Sequence, residues 1–186
     1  MLDLHDGVGG QLVNTIAHMQ TDDSADPAVR ASIEGVLRDL GLMIDSLEAH
    51  DTLTMSLGML RSRLEPLLDR TGMTFRWHVR DEPETPGSGP SQSLNVLRIA
   101  QEAITNAVKH ANATEISVET DRRSITIRDN GSGISDYAEA RRHGKDSGIG
   151  IDGMRKRAEA IGARLQIESA SSGTSVTLTW DVEFNP

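Results

Sequence analysis

Residues 98–111 read RIAQEAITNAVKHA. No proline interrupts the run, and Ala, Ile, Val, Gln and Glu dominate it, so the spacing predicts a helix. On a wheel of about 3.6 residues per turn, Leu97, Ala100, Ile104, Val108 and Ala111 share one side, and Glu102, Asn106, Lys109 and His110 the other. A helix divided in this way has its back in a core and its polar face at a surface. That polar face carries an acid, an amide, an amine and an imidazole. Acid and amide oxygens are ligands for a hard cation, and a lysine reaches phosphate oxygens. The same residues alone are also what a solvated helix face shows, so the rest of the chain decides between the two.

The chain has 186 residues, enough for one domain of ordinary size and a smaller module. Hydrophobic content is 37% but aromatics are only 3%, so the core must be built from Leu, Ile, Val, Met and Ala. A formal net charge of −9 argues against direct nucleic-acid binding, because phosphate backbones need a surplus of Lys and Arg. It leaves a nucleotide possible, since that needs only local donors. With no cysteine there is neither a disulfide framework nor a thiolate metal site, which suits a reducing compartment. No apolar run approaches the roughly 18 residues of a membrane span, and no signal peptide is visible. The expectation is a cytoplasmic fragment, whether or not a longer protein is anchored in a membrane.

At the N-terminus, Leu4, Val8, Leu12, Ile16 and Met19 recur at helical spacing, with His5 and Asp6 near the start and Gly7, Gly9 and Gly10 close behind. Asp26-Pro27 is a helix start, an N-cap followed by a proline. From there Val29, Ile33, Val36, Leu37, Leu40, Ile44 and Leu47 form a second stripe. Such a helical hairpin has too little core to stand alone, so it should pair with a copy into a dimeric four-helix bundle. Residues 1–48 are therefore read as a dimerisation module and 49–186 as a second domain. That domain opens with a helix carrying Leu53, Leu57, Leu60, Leu64 and Leu67, capped by Asp51 or Thr52, bent or thinned late by Pro66 and ended by Gly72. Residues 73–79, 115–120, 124–128, 164–168 and 174–182 read as strands. The loop 81–91, with three Pro and two Gly, precedes the central helix, whose cap is expected at Ser91 or Ser93. The pattern is α+β, a mostly antiparallel sheet with helices on one face.

Three further stretches carry chemistry. Asp129-Asn130-Gly131-Ser132-Gly133 closes a strand; a buried aspartate there accepts hydrogen bonds only, which suits an exocyclic amine such as that of adenine. Gly148-Ile149-Gly150 leads into a helix over 154–161, so backbone N–H groups are open to a phosphate. Between them, residues 134–147 are polar and charged, as a mobile lid would be. Gly173-Thr174 opens the last strand and can place a hydroxyl at a pocket floor. A Walker-type GxxxxGK[ST] is absent, and so is a strand–GxGxxG–helix unit with an acid about 20 residues on, so neither a Walker site nor a dinucleotide fold is indicated.

This order of motifs resembles the ATP-binding domain of sensor histidine kinases and their relatives among the gyrase, Hsp90 and MutL ATPases (the GHKL group). Residues 102–110, EAITNAVKH, match the N box; Asp129 to Gly133, Gly148 to Gly150 and Gly173-Thr174 match the successive glycine boxes. Leu4-His5-Asp6 and its hairpin resemble the dimerisation and phosphoacceptor module of the nitrate-sensor and desaturase-thermosensor class. The resemblance implies a Bergerat-type α/β sandwich behind the hairpin. It also implies ATP-dependent autophosphorylation on His5 and transfer to an aspartate of a response regulator, of the LuxR type. Asn106 would hold Mg²⁺, with Glu102 assisting the metal or its water; Lys109 and His110 would touch phosphates. Asp129 would bind the adenine amine, Gly131, Gly133, Gly148 and Gly150 would shape the pocket, and Thr174 would support the base through water. Asp6 would take the imidazole proton or set its tautomer. The resemblance further implies that this is the catalytic piece of a longer protein. One departure is Gly10, where the class commonly has Gln; Gln11 stands one residue later, about 100° round a helix, which puts phosphatase action on the regulator in doubt. The alternatives are a GHKL-type Ser/Thr kinase, against which His5-Asp6 argues, and a non-catalytic nucleotide-sensing dimer, against which the Glu102 and Asn106 pair argues.

Overall fold

The computed structural model describes residues 52–87, 89–134 and 148–181. The expected hairpin with His5, Asp6, Gly10 and Gln11, the dimer built on it, and the lid over 135–147 lie outside the described residues. The elements, in order, are α1 (Leu53–Thr71), β1 (Thr74–Val79), α2 (Pro90–His110), β2 (Glu115–Asp121), β3 (Ser124–Asp129), α3 (Gly148–Ala160), β4 (Arg164–Ala170) and β5 (Gly173–Thr179). The strands form one sheet in the order β1-β2-β3-β5-β4. β1 runs parallel to β2 across the α2 connection, and every other pair is antiparallel. This is the expected mixed, mostly antiparallel α+β layer.

Alternation along the strands sets the two faces of the sheet. Val118 pairs with Ile127, Ile127 with Val176, Val176 with Ile167, and Ile125 with Leu178, giving a continuous apolar face; all are buried, as is Trp180 just beyond β5. The opposite face pairs Ser117 with Arg128, Glu119 with Thr126, and Thr126 with Thr177, and stays polar. Asp129 lies two residues beyond Ile127, so strand geometry turns its carboxylate towards the apolar, helix-covered side.

The helices cover that face with narrow stripes. On α1 the buried residues are Leu53, Ser56, Leu57, Leu60, Leu64 and Leu68. Leu68 replaces the expected Leu67, which is exposed, because the last step is four residues rather than three. Thr52 is the N-cap, its hydroxyl accepting from the Met55 N–H at 3.2 Å. The Glu82 carboxylate adds a second cap from the loop after β1, accepting from the Leu53 N–H at 2.7 Å. The helix continues through exposed Pro66 to Thr71, and the carbonyl that loses its donor, that of Ser62, belongs to an exposed residue. Gly72, at φ 67°, ends it in the left-handed conformation.

α2 begins earlier than expected. Gly89 is its N-cap and Pro90 its first residue, since proline has φ preset for a helix and no N–H to leave unpaired. Its back is Val96, Leu97, Ile99, Ala100, Ala103, Ile104 and Ala107, all buried. α3 also begins earlier than expected, with Gly148, Ile149 and Gly150 inside its first turn rather than ahead of it. The reason is that the first four N–H groups of any helix need no intrahelical partner, so glycines cost least there. Gly162, at φ 63°, follows the helix. Among the described residues, no helix is long and apolar enough to cross a membrane.

Candidate functional site

A cavity of about 270 Å³ lies between α2, α3 and the ends of β3, β4 and β5. Its apolar lining includes Ala103, Ala107, Ile127, Ile151, Met154, Ile167 and Val176, and its polar lining Glu102, Asn106, His110, Asp129 and Thr174. A few convergent polar groups in a mainly apolar cleft is the usual constitution of a small-molecule site.

The floor is the end of β3. Asp129 is 9% exposed, and its Oδ1 accepts from the Gly131 N–H at 2.8 Å and from the Thr174 N–H at 3.2 Å. Two backbone donors on one oxygen fix the buried carboxylate in place, and Oδ2 makes no hydrogen bond among the described residues. The turn that follows is packed backbone to backbone. A Cβ at Gly131 would stand 2.2 Å from the Ala111 carbonyl oxygen, and one at Gly173 2.0 Å from the Asp129 oxygen. The Ser132 N–H donates to the Ala111 oxygen at 2.7 Å, tying the turn to the end of α2. Gly133, at φ 74°, lines the cavity, and the following Ile134 N–H donates to Ser169 Oγ at 2.7 Å.

The rim is the polar face of α2. Asn106 Nδ2 donates to Glu102 Oε1 at 3.2 Å, an i to i+4 pair, and both residues are half-buried. In this orientation of the amide, Asn106 Oδ1 accepts no hydrogen bond among the described residues. Gly150, in the first turn of α3, faces the same carboxylate, and a Cβ there would stand 2.1 Å from Glu102 Oε1. His110 lines the cavity at the last turn of α2; Lys109 is exposed and does not line it. Gly148 opens α3 and Gly131 lies behind the floor, against Ala111.

The structure thus brings together Glu102, Asn106, His110, Asp129, Gly133, Gly150 and Thr174 around one cavity. Sequence reasoning did not single out Ile151, Met154 or Ala111 as lining. An apolar residue in a helix carries no mark of which cavity it faces. Nor did it give Asn130 a role, although an Asn between a strand end and a glycine is a turn former whose side chain bonds nearby backbone.

Among the described residues, no cluster of three or more His, Cys, Asp or Glu could hold a metal. One carboxylate and one amide oxygen side by side suit a hard cation that keeps its waters or is carried in on phosphates. Mg²⁺ with a nucleotide therefore fits the residues present.

The family model described as histidine kinase-, DNA gyrase B- and HSP90-like ATPase matches residues 91–183, half of the chain. The chain is 29% identical over 196 residues to the signal transduction histidine-protein kinase/phosphatase UhpB of Salmonella typhimurium, covering 95% of this chain and 37% of that protein. It is 29% identical to the nitrate/nitrite sensor protein NarQ of Escherichia coli, covering 82% of this chain and 27% of that protein. It is 30% identical to the sensor histidine kinase MctS of Rhizobium johnstonii, covering 94% and 41%. The chain thus spans about two fifths or less of these relatives. Among solved structures, the histidine kinase domain of the Erythrobacter litoralis EL346 blue-light activated histidine kinase matches with a TM-score of 0.62 at 16% identity, covering 92% of this chain and 84% of that one, a likeness of fold. The motif order, the cavity they enclose and these matches agree: the chain belongs to the histidine kinase-, DNA gyrase B- and HSP90-like ATPase family, with sensor histidine kinases as its relatives.

Proposed function

We propose that this chain is the catalytic part of a two-component sensor histidine kinase, which binds ATP in the cavity, phosphorylates itself on His5 and passes the phosphoryl group to an aspartate of a response regulator. Membership in an ATPase family implies ATP binding. The observation that carries the placement is Asp129, a carboxylate fixed by two backbone N–H groups on the cavity floor with one oxygen to spare. An acceptor-only group there selects a ligand with a donor at its edge, as the exocyclic amine of adenine is.

Asp129 holds the base, and Gly133 and the Thr174 backbone shape the floor around it. Glu102 and Asn106 stand at the other side of the cavity, where the phosphates and a Mg²⁺ ion would lie. When bound, Mg²⁺ supplies charge neutralisation at the phosphate oxygens. Asn106 would contribute a neutral oxygen ligand to the ion, and Glu102, which holds that amide, would assist the metal or its water. The first-turn N–H groups at Gly148 and Gly150 offer donors to anionic oxygens, and His110 adds a donor at the end of α2, with exposed Lys109 beside it outside the cavity lining. In the transfer itself, an imidazole nitrogen of His5 attacks the γ-phosphorus. The bond to the β,γ-bridging oxygen breaks, ADP leaves, and Asp6 takes the imidazole proton. The acceptor is a response regulator of the LuxR type, and the working unit is a dimer formed through the N-terminal hairpin.

The test is incubation with γ-labelled ATP. The wild-type chain takes up label that is lost in acid, His5→Ala takes up none, and both bind ATP alike. Label retained in His5→Ala, or label that survives acid as phosphoserine does, ends the autokinase reading.

A further inference from the structure

We infer that Asn130 is a positioning residue that sets the separation between Asp129 on the floor and Asn106 on the rim. Through that separation it sets how far Mg²⁺ strengthens ATP binding. This rests on the proposed ATP site.

Every polar atom of the Asn130 side chain is engaged within the protein although the residue is exposed. Oδ1 accepts from the Thr114 N–H and from the Glu115 N–H, each at 2.9 Å. Nδ2 donates to Thr114 Oγ1 at 2.9 Å. Its own N–H donates to the Glu115 oxygen at 3.2 Å. Asn130 therefore recognises the connector from α2 to β2 rather than a ligand.

That connector is clamped at both ends. At Ala111 the Ser132 N–H donates to the carbonyl, and Gly131 approaches too closely to admit a side chain. At Thr114 the Asn130 amide makes its three bonds. Between them Asn112 takes φ 49°, a left-handed conformation that asparagine tolerates better than most residues. A strained, short connector held at one end only would be free to relax. The sheet also holds Thr114, whose carbonyl accepts from the Thr74 N–H at 2.9 Å; Asn130 adds the hold that ties this end to the floor, from the residue between Asp129 and Gly131. α2 is a stiff rod, and Asn106 stands about 7 Å back along it from Ala111 at about 1.5 Å per residue. Fixing the end of α2 against the Asp129 turn therefore fixes Asn106 against Asp129. A ligand touching only the floor is indifferent to that distance, whereas one spanning floor and rim is not.

The experiment is calorimetric titration of the full chain with ATP, once in excess Mg²⁺ and once in EDTA, for wild type, Asn130→Ala, Asn130→Asp and Thr114→Val. Thermal melting without nucleotide checks that each is folded. Asn130→Ala is expected to lose about tenfold of the affinity gained from Mg²⁺ while changing affinity in EDTA by no more than about twofold. Asn130→Asp keeps both backbone bonds, and the Thr114 hydroxyl can turn to donate, so it should retain most of the Mg²⁺ gain. Thr114→Val removes one of the three bonds and should show the same pattern at about threefold; it carries the test should Asn130→Ala not fold. Equal weakening in Mg²⁺ and EDTA, or no weakening in either, overturns the inference while leaving the ATP site in place. A folded wild-type chain that binds no ATP under either condition removes the site and the inference together.

Discussion

The floor and the rim of the cavity are built by different means. The floor, at the end of β3, is made of backbone pressed on backbone: Gly131 on the Ala111 carbonyl, Gly133 on the Ala170 carbonyl, Gly173 on the Asp129 carbonyl. The rim is made of side chains at regular helical spacing, Glu102 and Asn106, with Gly150 facing the end of a carboxylate that can rotate. A main chain locked in a sheet cannot retreat, and a side chain can. The floor should therefore fail through the fold, and the rim through the chemistry.

The largest effect is expected at Gly173. Its φ of 129° and the 2.0 Å approach of a Cβ to a backbone oxygen leave no room for alanine. Gly173→Ala should lower stability by about 3 kcal/mol, combining backbone strain with overpacking, measured by urea unfolding. A loss under about 1 kcal/mol would show the floor to be as yielding as the rim. Next is Asp129→Asn, which keeps an oxygen for the Gly131 and Thr174 N–H groups but loses the charge and an acceptor facing the cavity. ATP affinity should fall about 10- to 100-fold, as for a hydrogen bond to a charged group, with a much smaller change in melting temperature. If the melting temperature collapses instead, the carboxylate is chiefly a strut of the turn. On the rim, Asn106→Ala should remove about tenfold of Mg²⁺-dependent ATP affinity and leave affinity in EDTA unchanged. The same titration in both conditions separates these outcomes.

The same difference explains what the sequence could be read for. The back of α2 and the strands repeat at 3.6 and 2 residues, so they were legible, and so was the polar face carrying Glu102 and Asn106. Asp129 was legible as a buried acid because it continues the alternation of Ile125 and Ile127. The glycines were legible only as glycines. Gly131 is required by the Ala111 backbone, twenty residues upstream, and Gly150 faces the Glu102 carboxylate, nearly fifty upstream; no local pattern records such a neighbour. The helix starts are the part that glycine and proline hide, because both residues also read as breakers. Pro90 and Gly148 instead occupy first turns, where a missing N–H or a missing side chain costs least. Leu68 rather than Leu67 is buried because both continue a leucine stripe, and only the packing against α2 and β1 chooses between them.

The smallest effect on stability, and the sharpest contrast with Gly173, is expected at Gly150. A Cβ there would stand 2.1 Å from Glu102 Oε1 and 3.0 Å from its Cδ, so the carboxylate must move. It can do so by rotating about its own bonds, at the cost of its 3.2 Å bond from Asn106. Such an i to i+4 pair is worth about 0.5 kcal/mol, and alanine in place of glycine in a helix returns up to about 1 kcal/mol. The two nearly cancel, so Gly150→Ala should leave the urea midpoint where it is or raise it slightly. The displaced carboxylate no longer orients the Asn106 amide, so labelling from γ-labelled ATP should slow by about tenfold, the size expected from misplacing one oriented group. Stability held with labelling lost is the signature of a site written in side chains. A loss of stability comparable to that of Gly173→Ala would mean that the first turn of α3 is as firmly wedged as the floor, and that the two halves of the cavity obey one rule.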